Sequence, residues 1–381
     1  QLLMVAGFDR YFQLVKCFRD EDFRADRQPE FTQIDCEMSF VEEKDIYNIF
    51  SQYVKNIIKE IGGEEIKEIP KITFAESIDL YGSDKPDLRF DLKIKNIGSV
   101  CKNKGFNVFD KSENISALCL KEKSTISRKI LDSLTEFVKS PQVGGSGLIY
   151  IKCNLDGSLK SSIDKFFNES DLKEIQNICD AKKDDVIFII CGDYKKTKQI
   201  IGDLRVEIIK RFKIEPNNKF APVWITDFPL FDFDKEKQQF HAMHHPFTAP
   251  KNEDLEKLNN APEKAIAQAY DIVLNGQEIG GGSIRIFDRK IQNKIFKLLG
   301  LSENEIKSKF GFLLEAFKYG APPHGGIAFG FDRICAIMSN EKSIRDVIAF
   351  PKNNSGKDLM IDSPSLIDND QLKDLNIKLS E

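Results

Sequence analysis

The sequence lacks a long hydrophobic run, a recognisable secretory signal and a CxxC pair. No apolar stretch reaches the roughly 18 residues that a membrane-spanning helix requires, which disfavours a membrane protein. The eight cysteines are scattered along the chain, which disfavours a zinc site and structural disulfides. We therefore expect a cytoplasmic protein without a membrane partner, in a reducing cytosol or an organelle matrix.

An excess of positive charge is also missing. The formal net charge is -4, which argues against a protein that holds nucleic acid by bulk positive charge, so any RNA contact has to be local. Hydrophobic residues make up 41% and charged residues 30%, as in water-soluble globular proteins. A length of 381 residues predicts two or three domains.

Hydrophobic spacing divides the first half of the chain into distinct segments. Residues 10–18 and 32–41 alternate in strand fashion around a charged loop, which predicts a hairpin. Residues 42–61 place apolar side chains at helical spacing, which predicts an amphipathic helix. From about residue 94 to 214 the pattern changes to that of an α/β insertion, and near residue 215 it changes back.

In the second half, residues 262–275 carry apolar side chains at helical spacing, which predicts a helix. Residues 277–285 alternate like a strand, and residues 325–331 predict a Gly-rich strand that passes into a helix at residues 332–338. Two further helices are predicted at residues 290–299 and 303–319.

The longest motif is FRDEDFRADRQPEFTQID, residues 18–35. If the first strand continues, period-2 alternation places Arg19 and Glu21 on one face. An isolated Arg-x-Glu is usually a surface ion pair of little energetic weight. Its place in a predicted hairpin, ahead of Gln28 and Phe31, favours a functional role.

A second motif is GGIAFGFDR, residues 325–333, in which a strand feeds a helix with Arg333 in its first turn. The helix dipole disfavours a cation near a helix N-terminus, so this position favours an anionic ligand. Taken alone, such a segment is more often a core strand followed by an exposed arginine.

A third motif is EIGGGSIR, residues 278–285, with three consecutive glycines in a strand pattern. Glycines weaken a strand, so they indicate that a flat or bulky group approaches the backbone closely. A turn is the usual alternative, but the alternation continues through Arg285 and weakens it.

A fourth motif is HAMHHPF, residues 241–247, which holds three of the four histidines in the chain. Adjacent histidines of an extended chain point to opposite faces, and no cysteine cluster lies nearby in the sequence. Both observations disfavour a zinc site.

These four motifs, in this order, resemble those of the bacterial-type aspartyl-tRNA synthetases, a branch of the class II aminoacyl-tRNA synthetases. Residues 18–35 resemble motif 2 of that class and residues 325–333 resemble motif 3. The likeness extends through YGSDKPDLRF (81–90), FAPVWITDFPLF (220–231) and RDVIAFPK (345–352). It implies an α+β fold: an antiparallel sheet flanked by helices, with a catalytic domain in residues 1–93 and 215–381 and an inserted α/β domain in residues 94–214.

The resemblance implies an aspartate–tRNA ligase that activates L-aspartate with ATP and then transfers it to the 3′ end of tRNA(Asp). Its catalytic residues would be Arg19 and Arg333, and Mg²⁺ would be held by Asp271 and Glu278. ATP would be bound by Arg19, Asp20, Glu21, Gln28, Phe31, Glu278, Gly330, Phe331, Asp332 and Arg333. L-Aspartate would be bound by Arg19, Gln33, Asp35, His244 and Arg285.

Individual roles follow from the same resemblance. Arg19 would contact the α-phosphate and the attacking carboxylate, because a guanidinium can direct two donors at neighbouring oxygens. Arg333 and Phe31 would cover the two faces of the adenine. Arg285 would fork to the aspartate side chain with His244 as helper, and would reject asparagine because its donors would then face an amide NH₂.

The sequence shows no anticodon-binding β-barrel, no motif 1 and none of the upstream Gln/Lys loop of the family. The chain also starts inside an apolar segment, Gln1-Leu2-Leu3-Met4, without an initiator methionine. We therefore expect the C-terminal portion of a longer protein that forms a homodimer. The loop at residues 24–27 would touch the tRNA acceptor end, and tRNA(Asn) stays open as a second partner.

Two groups of alternatives remain. The first is another adenylate-forming enzyme of this fold: an asparaginyl or lysyl enzyme, or a tRNA-independent asparagine synthetase that passes the aspartyl group to ammonia. The insertion and the pattern of residues 278–285 disfavour these. The second is an inactive relative that acts as an RNA-binding or regulatory module, against which the intact Arg19, Glu278, Arg285 and Arg333 argue.

Overall fold

A computed structural model describes residues 1–20, 26–234 and 236–379 of the chain. The strands are β1 (Arg10–Phe18), β2 (Glu30–Ser39), β3 (Lys71–Thr73), β4 (Lys95–Asn96), β5 (Asn114–Leu120), β6 (Ile149–Cys153), β7 (Leu159–Ser161), β8 (Val186–Gly192), β9 (Pro222–Thr226), β10 (Phe231–Asp234), β11 (Gln239–Ala242), β12 (Ala269–Leu274), β13 (Gln277–Ile284) and β14 (His324–Gly330).

The α-helices are α1 (Leu2–Val5), α2 (Glu43–Ile57), α3 (Phe74–Tyr81), α4 (Gly98–Cys101), α5 (Asn107–Asp110), α6 (Arg128–Lys139), α7 (Glu169–Ile178), α8 (Tyr194–Arg211), α9 (Lys257–Asn260), α10 (Arg289–Leu298), α11 (Glu303–Ala316), α12 (Phe331–Met338) and α13 (Asn369–Asp374). A π-helical turn, Ile58–Gly62, continues α2. In the described parts of the chain, no helix combines the length and the hydrophobicity needed to cross a membrane.

The contacts within the chain divide it into two compact units. The first unit comprises Gln1–Glu65, Ile279–Gly282 and Phe312–Glu381. The second unit comprises Ile66–Glu278 and Ser283–Gly311. Both are built from helices and mainly antiparallel sheets, which confirms the predicted α+β class.

The sheet of the first unit has the order β1-β2-β14-β13. Strands β1 and β2 form the predicted hairpin, with Cys17 opposite Phe31. Strand β14 runs antiparallel to β2 on its other side. Helix α2 covers this sheet because its apolar residues recur every three to four positions, and the rings of Phe50 and Tyr53 pack on Phe329 of β14 at centroid distances of 5.5 and 5.0 Å.

The glycine run of β13 lies against β14. A Cβ atom on Gly280 would come within 2.8 Å of the Phe329 ring, and one on Gly282 would come within 2.0 Å of the carbonyl oxygen of Gly326. Any larger residue at either position would force the two strands apart. The bulky group that requires these two glycines is therefore the neighbouring strand.

The second unit contains a small sheet, β12-β9-β3, and a five-stranded sheet, β4-β5-β8-β6-β7. Apolar residues of β5 and β8 alternate between two hydrophobic clusters, one with α6 and α8 and the other with α4, α5 and α7. Every residue of β5 is buried because helices cover both faces of the strand. All eight cysteines of the chain are free thiols, several of them inside the second cluster.

The predicted helix at residues 262–275 is wrong. The structure has a short 3-10 turn, Pro262–Lys264, followed by strand β12. All six residues of β12 are buried, so the strand is a continuous apolar run without the alternation that identifies a half-buried strand. Ala269, Ile272 and Val273 matched a helical spacing by coincidence, and a buried strand and a buried helix cannot be separated by periodicity over so short a run.

Candidate active site

One face of strand β2 carries polar residues of the first motif. Phe31, Gln33 and Asp35 occupy alternate positions, so their side chains share a face. Their neighbours across the ladder in β14 are small: Gly330 lies opposite Gln33 and Ala328 opposite Asp35. Because directly opposed residues of an antiparallel pair point to the same side, the β14 backbone stays nearly bare beside this row. A flat ligand can lie against it.

Arg19 stands at one end of the row. Its backbone N–H donates a 2.9 Å hydrogen bond to the carbonyl of Pro29, so the hairpin continues beyond the last residue of β1. Its guanidinium carbon lies 5.4 Å from the ring centroid of Phe31. The attraction between a cation and an aromatic ring holds the guanidinium beside the face of β2.

A cavity of about 370 Å³ lies near the other end of the row. Its walls include the apolar side chains of Met4 and Leu313 together with Tyr11, Asp35 and Glu37. Burial, and to a lesser extent the charge of Asp35, raises the pKa of Tyr11. Two carboxylates and a phenol in a partly apolar wall suit a small cationic group such as an ammonium.

Strand β2 and helix α12 are joined by a hydrogen bond. The backbone N–H of Thr32 donates to Oδ2 of Asp332 at 2.7 Å, and Asp332 is only 8% exposed. Thr32 follows Phe31, and Asp332 precedes Arg333 in the first turn of α12. The bond therefore sets how far apart Phe31 and Arg333 are held.

A second link fixes the approach to β2. Gln28 is 3% exposed, and its side-chain amide pairs with the backbone of Lys352. The Lys352 N–H donates to Oε1 of Gln28 at 2.7 Å, and Nε2 of Gln28 donates to the Lys352 carbonyl at 3.1 Å. The ammonium of Lys352 forms an ion pair with Glu30 at 2.9 Å. Both ends of the Gln28 amide thus hold the segment after α12 against the start of β2.

In the second unit, Arg285 and His244 lie within electrostatic range of each other. Burial lowers the pKa of His244 to about 4; the charge of Asp84 opposes this shift and Arg285 adds to it. The imidazole packs edge-on against Phe228 with a centroid distance of 4.4 Å. At neutral pH His244 is therefore an uncharged hydrogen-bonding group beside a permanent cation.

Backbone and side-chain contacts hold Arg285 in place. Its Nη1 donates a 3.1 Å hydrogen bond to Oγ of Ser283, which is 1% exposed. Its backbone forms a β-bridge with Thr248. A guanidinium anchored in this way presents its donors in a fixed plane, as bidentate binding of a carboxylate requires.

Strands β12 and β13 carry an acidic pair. Burial raises the pKa of Asp271 well above its usual range; the carboxylates of Glu278 and Asp84 raise it further, and Lys85 opposes them. A divalent cation bound by these oxygens would offset the repulsion between the carboxylates and favour the ionised form of Asp271, so the donor set suits Mg²⁺. Over the described residues, no three His, Cys, Asp or Glu side chains form a metal-holding group. The pair would therefore need further ligands from water or a substrate.

A family model described as tRNA synthetases class II (D, K and N) matches residues 1–354. This chain belongs to that class II synthetase family. The family assignment made from the four motifs is thereby confirmed.

Three relatives of this class II synthetase chain carry the same name. The aspartate–tRNA ligase of Flavobacterium psychrophilum is 52% identical over 379 residues, which is 100% of this chain. That of Parabacteroides distasonis is 52% identical over 379 residues, 99% of the chain, and that of Porphyromonas gingivalis is 51% identical over 381 residues, 100% of the chain. The chain spans 65% of the length of each of these relatives.

The two units of the synthetase chain divide the predicted site residues between them. The first unit holds Arg19, Asp20, Gln28, Phe31, Gln33, Asp35, Gly330, Phe331, Asp332 and Arg333. The second unit holds His244, Asp271, Glu278 and Arg285. Glu21 and Arg24 lie outside the described residues. The roles assigned to all of these residues remain predictions.

Sequence reasoning missed Asp84 and Lys85. Both act electrostatically on Asp271, and Asp84 also acts on His244, so they belong to the same part of the second unit. The available signal was the segment YGSDKPDLRF, which resembles the family without carrying an assigned role. A charged Ser-Asp-Lys turn alone is more often solvated surface than part of a site.

Proposed function

We propose that this chain is part of an aspartate–tRNA ligase, which forms aspartyl-adenylate from L-aspartate and ATP and then transfers aspartate to tRNA(Asp). The observation that carries the proposal is Arg285, anchored on Ser283 beside a neutral His244. The names of the relatives support the same substrate. The carboxylate of an aspartate side chain is the group that this cation would recognise.

Discrimination against asparagine follows from the chemistry of this contact. Both carboxylate oxygens accept hydrogen bonds, whereas an amide presents one acceptor and one donor. Asparagine bound against Arg285 would leave donors facing donors, and an unmade hydrogen bond to a charged group costs about 1.5–3 kcal/mol. His244 is uncharged, so it would add a hydrogen bond to the aspartate side chain. It would not attract a second anion.

The amino group of the substrate would lie toward Asp35. The cavity at that end of the row combines Asp35 and Glu37 with apolar walls, a setting that favours an ammonium group over a neutral one. Gln33 precedes it on the same face of β2 and would contribute an amide oxygen or nitrogen.

Adenylation requires the α-carboxylate to attack the α-phosphorus of ATP in line. This carboxylate is ionised at neutral pH, so no general base is needed, and catalysis rests on positioning and charge stabilisation. Arg19 would direct its guanidinium at the α-phosphate and the carboxylate, and Phe31 would stack on the adenine. Arg333, held by the Asp332–Thr32 bond, would cover the other adenine face.

Mg²⁺ would be held by Asp271 and Glu278. When bound, this ion neutralises phosphate charge and orients the leaving pyrophosphate. The buried Asp271 suits this task because a nearby cation favours its ionised form.

The proposed partners of the whole protein are L-aspartate, ATP, tRNA(Asp) and a second copy of the chain, with a cytoplasmic location. Residues 94–214 are proposed as the inserted domain of the bacterial-type enzymes. Whether tRNA(Asn) is also charged would be decided by the part of the protein that reads the anticodon.

ATP–pyrophosphate exchange by the full-length protein tests the proposal. Aspartate, asparagine and lysine are compared in the wild type, in Arg285→Ala and in the control Arg128→Ala, whose side chain is 93% exposed. We expect pyrophosphate exchange with aspartate alone. Arg285→Ala should lower kcat/KM for aspartate about 100-fold, and Arg128→Ala should leave it unchanged. Exchange supported by asparagine or lysine would overturn the substrate, and none with any amino acid would favour an inactive relative.

A further inference from the structure

One face of helix α8 carries two buried cations and a glycine, and this face packs against the end of α3 and the segment that follows it. Lys198, Gly202 and Arg205 occupy positions i, i+4 and i+7, so they lie on one face of the helix. All three are buried, with Lys198 and Arg205 each only 2% exposed. Burial of two cations is costly unless every donor finds a partner, so a face of this kind has a specific task.

Arg205 binds the backbone of one short segment. Its Nε donates to the carbonyl of Leu92 at 2.7 Å, and its Nη2 donates to those of Asp87 and Phe90 at 2.8 and 3.0 Å. The guanidinium also lies 5.2 Å from the ring centroid of Tyr81. One side chain thus fixes three carbonyl groups within six residues.

The other two residues of the stripe hold the end of α3 and the turn that follows it. Nζ of Lys198 donates to the carbonyl of Asp79 at 3.1 Å and pairs with its carboxylate at 2.9 Å. Gly202 meets Gly82 at backbone contact, because a Cβ atom on Gly202 would lie 2.5 Å from the Gly82 carbonyl oxygen. The turn after α3 therefore rests directly on α8.

This segment carries Asp84 and Lys85. The carbonyl of Ser83 accepts a 2.6 Å hydrogen bond from Ser77 Oγ, and the Lys85 N–H donates to Ser83 Oγ at 3.1 Å. The backbone is thus held on both sides of Asp84. Farther along, a Cβ atom on Gly276 would lie 3.1 Å from Cβ of Asp87, so the segment also touches the turn between β12 and β13.

We infer that the stripe Lys198–Gly202–Arg205 of α8 is a positioning surface, which holds residues 82–92 against the turn between β12 and β13 and so fixes where Asp84 and Lys85 lie relative to Asp271. Arg205 is its central positioning residue. The inference rests on the proposed function, since it assigns these groups to the binding of aspartate and of a divalent cation. It gives α8, which lies in the proposed inserted domain, a direct part in building the site.

The test uses the full-length protein with Arg205→Met, Arg205→Lys and the control Arg211→Met. Arg211 lies in the last turn of the same helix and pairs with Glu207 at 2.7 Å. Hydrogen exchange of residues 82–92 is measured without substrates, and KM for aspartate, half-saturating Mg²⁺ and kcat are measured by pyrophosphate exchange. The first readout does not depend on activity.

We expect Arg205→Met to speed hydrogen exchange in residues 82–92, with β5 and β8 unchanged. The aspartate KM and half-saturating Mg²⁺ should rise about 10-fold to 100-fold, more than kcat falls. Arg205→Lys should show the same pattern at smaller size, because an ammonium reaches fewer of the three carbonyls, and Arg211→Met should stay within about twofold.

Unchanged hydrogen exchange and wild-type KM values in Arg205→Met would overturn the inference. If that variant fails to fold, Arg205→Lys decides in the same way: a smaller shift of both readouts supports the inference, and wild-type values overturn it. A wild type that catalyses no ATP–pyrophosphate exchange would contradict the proposed function alone. The hydrogen exchange of residues 82–92 would still report on the positioning.

Discussion

The backbone N–H of Thr32 binds the carboxylate of Asp332, 300 residues away in the sequence. The bond joins the strand that carries Phe31 to the helix that carries Arg333. If these two side chains enclose the adenine of ATP, this contact sets their separation together with the ladder between β2 and β14.

Asp332→Ala should therefore weaken ATP binding, because it removes a contact that spaces Phe31 and Arg333. Leaving the Thr32 N–H without its partner should lower the free energy of unfolding by about 1–3 kcal/mol, measured by urea denaturation. In pyrophosphate exchange, KM for ATP should rise more than KM for aspartate. Asp370→Ala, whose side chain is 91% exposed, is the matched control. An equal rise of both KM values would speak against a role in spacing.

The next prediction concerns the amide of Gln28, which pairs with the backbone of Lys352. Gln28→Glu keeps an acceptor for the Lys352 N–H but places a second carboxylate oxygen against the Lys352 carbonyl, where the amide donates now. Because this adds repulsion to a lost hydrogen bond, Gln28→Glu should be at least as destabilising as Gln28→Ala, by about 1–3 kcal/mol in urea denaturation. A glutamate variant as stable as the wild type would show that the paired amide does not hold the Lys352 segment.

Asp271 should destabilise the chain when no cation is bound. Its folded pKa lies above the ordinary 3.8, so its stabilising contribution is present below pH 3.8 and is lost as the pH rises through the folded pKa. With a chelator at pH 7, Asp271→Asn should show a higher thermal midpoint than the wild type, and the difference should shrink as the pH approaches about 4. Added Mg²⁺ should stabilise the wild type and not the variant. A less stable variant at pH 7 would contradict the predicted sign.

The effect of His244 on the pH dependence of stability has the opposite sign to that of Asp271. Its pKa is lowered from 6.5 to about 4 in the folded chain, so stability is lost as the pH falls from about 6.5 toward 4. His244→Gln should reduce the difference in unfolding free energy between pH 7 and pH 4.5 by at most about 3 kcal/mol. His241→Gln, whose side chain is 51% exposed, is the control for loss of a histidine at the surface. The same acid sensitivity in both variants would argue that the half-buried His244 is not shielded from solvent in solution.

Much of the fold was accessible from local sequence patterns. The hairpin of β1 and β2 has one exposed face on β1, so its period-2 alternation is visible, and α2 shows a clear apolar stripe. Strand β12 was mistaken for a helix because both of its faces are buried, which erases the alternation. A hydrophobic periodicity arises only where one face of an element is exposed to solvent. It therefore cannot identify an element that is buried on both faces.

The candidate site was predictable where its residues lie in short motifs. Contacts between distant segments were not, because nothing in either segment marks the partner. The amide of Gln28 binds Lys352, which lies 324 residues away, and the carboxylate of Asp332 binds Thr32, which lies 300 residues away. The glycine run predicts the close approach of a bulky group, and the structure shows that β14 makes this approach at Gly280 and Gly282.

Because α8 packs against residues 79–92, the proposed inserted domain cannot be deleted as a whole without removing contacts of the remaining chain. A deletion of residues 94–214 would also remove Lys198, Gly202 and Arg205, and with them the support of residues 82–92. A deletion that ends before Tyr194 would keep the helix and its inward face. The boundary of the proposed inserted domain would therefore lie before its last helix, because this helix supports residues 82–92.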